Sequence, residues 1–295
     1  MDHRPLLQHR CRAGCYGADN SNLAAPPMEH VRFTLLSLAV AFALFVGMMI
    51  SLELGRRLGL RDLTKLGKDG RAGVGVVEGA VYGLLALLVG FTFSGAATRY
   101  EGRRVMVAQV ANALGTAWMR TELLPVELQQ PVRAEFRNYL DALLASYDKP
   151  PGSPAELRLH AASNAAEKKL WATAVAACLT PAGDKARMLL LPEMNEGFDL
   201  VEMERFARRL HAPAVVFVML GVAALASALF AGYGTAGGPA RNWMYFMGVA
   251  ATIAIAAYVI LELESPRLGL LRAHKIDEVL VELRASWDEP VQATH

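Results

Sequence analysis

Four stretches of the chain, 33–52, 79–97, 213–233 and 243–261, are each about 20 residues long without one charged side chain, enough helix to cross a hydrocarbon core of about 30 Å. They predict two transmembrane hairpins, 31–97 and 213–264, preceded by a polar tail over 1–30 and followed by an amphipathic segment over 265–295. Between the hairpins lie residues 98–212, polar and almost free of strand signals, which read as helices. The expected fold class is therefore all-α: a polytopic membrane protein with four transmembrane helices and a helical soluble insert between the second and third.

Within the insert, 99–124 continues the second span without a proline, so one long helix should leave the membrane and end at Pro125. Val132, Phe136, Tyr139, Leu143 and Tyr147 then recur at helical spacing on a helix expected to start near Pro131. Ser153-Pro154-Ala155-Glu156 fits a capping box and opens a helix carrying Leu157, Ala161, Trp171 and Val175. A last insert helix should run from Asp184 into the third span, kinked or interrupted near Pro192. At the C-terminus Ile276, Val279, Leu280, Leu283 and Trp287 share a face that should pack on the insert, a membrane-surface helix being the alternative.

Composition agrees with a membrane protein: 54% hydrophobic and 20% charged residues, against about 45–50% and 25% in soluble domains. A net charge of +2, with no helix-turn-helix, zinc-finger or RNA-binding pattern, removes nucleic acid as a partner. Cys11, Cys15 and Cys178 imply no disulfide framework, and the seven histidines show no metal-ligand spacing. Neither a nucleophile elbow, a zinc-protease helix, a Walker loop nor a dinucleotide fingerprint occurs, so no enzyme, metal or cofactor is expected. No cleavage pattern follows the first span, which reads as an uncleaved anchor, and Met28 just before it is an alternative start that would leave 1–27 untranslated. With insert and termini in the cytoplasm, thirteen of the Lys/Arg that flank the spans lie inside against seven outside, the orientation favoured by the positive-inside rule although the first loop alone holds six.

The second span holds the most unusual pattern. Gly75, Gly79 and Gly83 form a double GxxxG, with Gly90 one heptad after Gly83, so another helix can approach closely, either within the chain or from a second subunit. Glu78 among them either reaches to the interface or binds an ion. Asn112 with Thr116, and Asn195 with Asp199, are each four apart and would meet as a buried polar network setting the register of the insert, or as a ligand site.

Four segments carry a family resemblance: residues 84–104, including Gly90-Phe91-Thr92-Phe93-Ser94 and Arg99-Tyr100-Glu101-Gly102-Arg103-Arg104; Asn112-Ala113-Leu114-Gly115-Thr116-Ala117-Trp118-Met119-Arg120; Leu191-Pro192-Glu193-Met194-Asn195-Glu196-Gly197-Phe198-Asp199; and Leu261-Glu262-Leu263-Glu264-Ser265-Pro266-Arg267-Leu268-Gly269-Leu270. Together they resemble the bacterial bestrophin-like membrane family of unknown function. The chain has neither the double tryptophan nor the acidic calcium clasp of true bestrophins. The resemblance implies a homo-oligomer in the bacterial inner membrane whose second spans surround a pore with an apolar neck. Leu87, Phe91 and Ser94, spaced by four and three, would line it, with Arg99 and Arg103 at its mouth favouring anions. The alternative function is a membrane-anchored interaction or sensor module with no pore.

Overall fold

The computed structural model describes residues 28–66, 74–147, 149, 152–237, 243–264 and 274–288, all helix or short connection, with no strand among them. The N-terminal tail, with Cys11 and Cys15, lies outside the described residues. Helices α1 (Met28–Leu66) and α2 (Val74–Arg120) form the first hairpin, and a 3-10 turn over Thr121–Leu123 closes α2. The insert continues with α3 (Val126–Tyr147), α4 (Pro154–Cys178) and α5 (Asp184–Arg209). Helices α6 (Ala214–Gly234) and α7 (Trp243–Glu264) make the second hairpin, and α8 (His274–Ser286) ends the described chain. Four helical stretches are long and apolar enough to cross a membrane. The chain is a helical membrane protein.

At 47 residues, α2 is about 70 Å long, so roughly half of it stands clear of the bilayer. The absence of Pro between Val74 and Arg120 permits this, and α5 packs antiparallel along the projecting half. Around that pair the insert builds a dry core from Leu114, Phe136, Tyr139, Leu140, Leu143, Leu170, Leu190 and Met194. The predicted face of α3 is the buried one throughout. Trp287, directly after α8, stacks on Trp118 of α2 with centroids 4.4 Å apart and planes 7° apart, which places the terminal helix on the insert; of the predicted face Leu280 and Trp287 are buried and Val279 is exposed.

The membrane half packs through small residues. Helices α1 and α2 each lie against α6 and α7, around a core that includes Ala96, Ala224, Ala228 and Ala250. Where α1 crosses α6, a Cβ on Gly55 would overlap the Leu229 carbonyl and one on Gly232 would overlap that of Leu52. Only glycine lets the two backbones come so close.

Three expectations are corrected. Helix α3 starts at Val126, with Pro131 inside it, because the Pro125 carbonyl already accepts from the Leu128 and Gln129 N–H groups, and Pro131 removes only one donor from the second turn. Ser153 caps α4 as predicted, accepting from Glu156 N–H at 3.0 Å, but α4 buries Glu156, Ser163, Leu170, Ala174, Ala177 and Cys178. Leu157, Ala161 and Trp171 stay exposed, because the face that meets the insert core is the one carrying Leu170, Ala174 and Cys178. Finally, α5 runs unbroken through Pro192 and stops at Arg209. The interruption falls over Leu210–Pro213, where Pro213 drives Ala212 out of helical geometry.

Candidate functional site

Two features meet where α2 leaves the membrane: an open helix face and a cluster of charges tying three elements together. Only 11% of the apolar window of α2 is buried, the smallest share of the four spans. Leu84, Leu87, Phe91 and Ser94 are exposed on it, Phe91 at 67%. Cβ atoms added at Gly75, Gly79, Gly83 or Gly90 would meet nothing within 4 Å. The glycine face therefore packs against no other part of the described chain. Glu78 lies beside Gly234 of α6.

One turn beyond Ser94 the surroundings turn polar. Arg99 donates from Nε to Glu264 Oε1 at 3.0 Å, and its Nη2 contacts the same oxygen. Arg103 is buried and donates to the carbonyls of Leu263, at 3.1 Å, and Glu264, at 3.2 Å. Those carbonyls end α7, where unpaired C=O groups and the helix dipole favour a cation. The other carboxylate oxygen, Glu264 Oε2, accepts from the Ala212 N–H at 3.4 Å and lies 3.9 Å from His211 Nδ1. Glu264 is buried. A buried carboxylate is retained when it is paired and hydrogen-bonded, and here its partners come from α2 and from the break between α5 and α6. The cluster thus fixes the exit of α2 to the ends of both remaining membrane-edge helices. Arg99 and Arg103 stand out in the sequence, but Glu264, the carboxylate partner of Arg99, does not. The available signal was an ionisable side chain at the end of an apolar span.

The polar network expected in the insert does not assemble as a buried unit. Asn195 donates to Asp199 at 2.9 Å, but on an exposed face of α5, and Asn112 is exposed while Thr116 is half-buried. Helices α2 and α5 meet instead through Leu114 and Gly197, where an added Cβ would lie 3.0 Å from the leucine. Small-against-large packing at this point, together with Arg120 reaching from α2 to Glu193 and the Leu189 carbonyl of α5, joins the two helices in place of the expected Asn/Thr network.

A different polar cluster, unseen in the sequence, joins α4 to α5. Arg205 Nη1 lies 2.6 Å from His160 Nε2 and donates to Glu202 at 2.6 Å, while Asn164 Nδ2 is 3.3 Å from the same imidazole nitrogen. Arginine has no acceptor, so His160 Nε2 must be the acceptor and the ring neutral. Burial, then the Arg205 charge, holds the His160 pKa below its ordinary value. Burial likewise pushes the Glu167 carboxyl upward. No group of three or more His, Cys, Asp or Glu that could hold a metal occurs among the described residues.

No family model matches the chain, and no curated protein matches it. Solved structures do. A bacterial bestrophin homologue from Klebsiella pneumoniae aligns with a TM-score of 0.54 at 16% identity, over 81% of this chain and 98% of that one. A crystal structure of a membrane protein with a glycine-to-alanine substitution aligns with a TM-score of 0.54 at 13% identity, again over 81% and 98%. A proline-to-alanine variant of a membrane protein gives 0.51 at 14% identity, over 82% and 98%. At such identities the likeness establishes a shared fold, and it agrees with the resemblance carried by the four sequence segments.

Proposed function

We propose, from the fold shared with a bacterial bestrophin homologue, that this chain is one subunit of a homo-oligomeric ion channel in the bacterial inner membrane, with α2 of each copy facing a common axis. The observation that carries this reading is the open face of α2: glycines at Gly75, Gly79, Gly83 and Gly90 that touch nothing in their own chain, beside exposed Leu87, Phe91 and Ser94. In a ring of copies the glycines admit neighbouring helices closely. Leu87 and Phe91 then form an apolar constriction that closes by dewetting, and Ser94 gives a polar edge where water resumes.

The bestrophin resemblance implies anions as the permeant class. Arg103 satisfies helix-end carbonyls and Arg99 is paired with Glu264. Arg99 retains 33% side-chain exposure and is the one of the two that an ion reaches. Both chiefly act to hold the mouth of α2 in place. The insert stands on the cytoplasmic side in this reading, following the Lys/Arg count.

One observation favours the alternative of an anchored interaction module. Met119, Leu123 and Val126, beside the end of α2, and Met188 and Leu189, near the start of α5, are exposed. Arg120 links the two groups, pairing with Glu193 at 2.7 Å and donating to the Leu189 carbonyl at 2.7 Å. Lipid does not cover a patch so far from the bilayer.

Mass measurement of the detergent-solubilised complex decides between the readings. A closed ring of several 31.9 kDa subunits supports the channel, and a monomer overturns it. In liposomes, Phe91→Ala should raise basal ion flux about tenfold or more, the effect of lowering a barrier by about 1.4 kcal/mol. Unchanged flux would remove Phe91 from the constriction.

A further inference from the structure

The outer face of α1 has no role in the channel reading, yet it has a definite chemical order. Val46, Ile50 and Leu54 are exposed at successive turns, Ile50 at 65%. On the same face the next two turns carry Arg57 and Arg61, both exposed. With Phe45 and Met49 the apolar residues border a shallow groove of about 480 Å³ that ends at Glu53 and Arg57. Helix α1 packs on α6 and α7 with its other side, so this face is turned outward from the bundle.

The basic end of the groove is only partly neutralised by its own helix. Arg57 donates Nε to Glu53, at 3.0 Å, its side chain is 70% exposed, and neither Nη group meets an acceptor among the described residues. Asp62, the next acidic residue on α1, is turned away and accepts from the Tyr233 hydroxyl at 2.9 Å. Arg61 therefore has no carboxylate from its own helix, and this end of α1 belongs to the loop region that holds six Lys/Arg in all. An apolar channel leading to two outward guanidiniums at headgroup depth matches one chemistry: acyl chain along the groove, phosphate on the arginines.

We infer that the groove on α1 is a binding site for an anionic phospholipid, its acyl chain against Val46, Ile50 and Leu54 and its phosphate held by Arg57 and Arg61. The site lies on the bilayer face opposite the insert, because α1 runs away from the insert toward the first loop. It does not depend on α2 lining a pore. Bound there, the lipid offsets the excess of positive charge at that membrane edge and fastens α1 to the annulus.

The test uses the full chain in nanodiscs of mixed phosphatidylglycerol and phosphatidylcholine, with lipids retained per subunit counted by native mass spectrometry. The parent should retain phosphatidylglycerol in preference to phosphatidylcholine. Arg57→Gln or Arg61→Gln alone should weaken retention about fivefold and the pair about thirtyfold, whereas Arg104→Gln, on the insert side, should leave it unchanged. Ile50→Trp, which fills the groove without touching its charge, should also lower retention. Equal retention of the two lipids, or full retention by the double variant, overturns the site. So does displacement of the lipid by millimolar inorganic phosphate, which would make it a free-anion site. Disulfide capture of two subunits through Ile50→Cys would put a second copy in the groove and overturn it as well.

Discussion

His160 shows how much one side chain's state depends on a partner far along the chain. Its Nε2 accepts from Arg205, 45 residues away, so protonation both removes the acceptor and sets two positive charges together. The native state therefore binds this proton less readily than the unfolded chain does, and the folded pKa is depressed. Stability from this contact is fully present above the ordinary histidine range and is lost as pH falls from about 6.5 through the lower folded value. Glu202 of α5 and Glu156 of α4 oppose the shift, and Arg209 adds to it. Glu167, raised by burial, contributes the opposite slope at lower pH. We expect His160→Gln, whose amide oxygen still accepts from Arg205, to flatten the decline in melting temperature between pH 7.5 and 5.5. An unchanged profile would place the titration elsewhere. At this scale the sequence displayed Arg99 but not its partner Glu264, and it displayed neither member of the Arg205–His160 pair as a partner of the other. Glu264 and His160 are ordinary residues until folding brings a guanidinium 165 or 45 positions away into contact.

Among elements, the clearest dependence is that of α8 on the insert. Its attachment rests on the Trp118–Trp287 stack, on Phe136 edge-on to both rings at 6.1 and 6.0 Å, and on buried Leu280. At the rim Arg284 bridges Asp141 and Asp288, and Arg137 donates to the Trp287 carbonyl at 2.7 Å. The surface ion pairs add little on their own; the ring packing dominates. Trp287→Ala should cost about 3–5 kcal/mol of docking free energy and release α8, read as loss of hydrogen-exchange protection over 274–288 with α3 still protected. Retained protection of α8 would assign its docking to the ion pairs. The apolar face of α8 and its destination were legible from periodicity. The rotation of α4 was not, because small and large side chains on α4 carry nearly equal apolar signals.

For the molecule as a whole, the exposed apolar surface is the dominant fact. Leu36, Phe42, Ile50, Phe91, Val218 and Met244 all stand open, a cost in water that only a bilayer or further protein removes. Alkaline carbonate should leave the protein in the membrane pellet, and recovery in the supernatant would contradict the four-span architecture. The amino-acid order alone determined the number of spans, their lengths and the helical insert, since a backbone in hydrocarbon must satisfy its own hydrogen bonds and about 20 apolar residues are needed to do so. It also marked α2 as unusual through its glycines. Tertiary structure decided what those glycines meet. The close backbone crossing fell to Gly55 and Gly232, while Gly79 and Gly83 were left facing outward. Folding likewise tied Arg99 and Arg103 to the end of α7. Both outcomes follow from one physical circumstance: helix formation is set by local spacing, whereas which faces and charges meet is set by packing among segments more than a hundred residues apart.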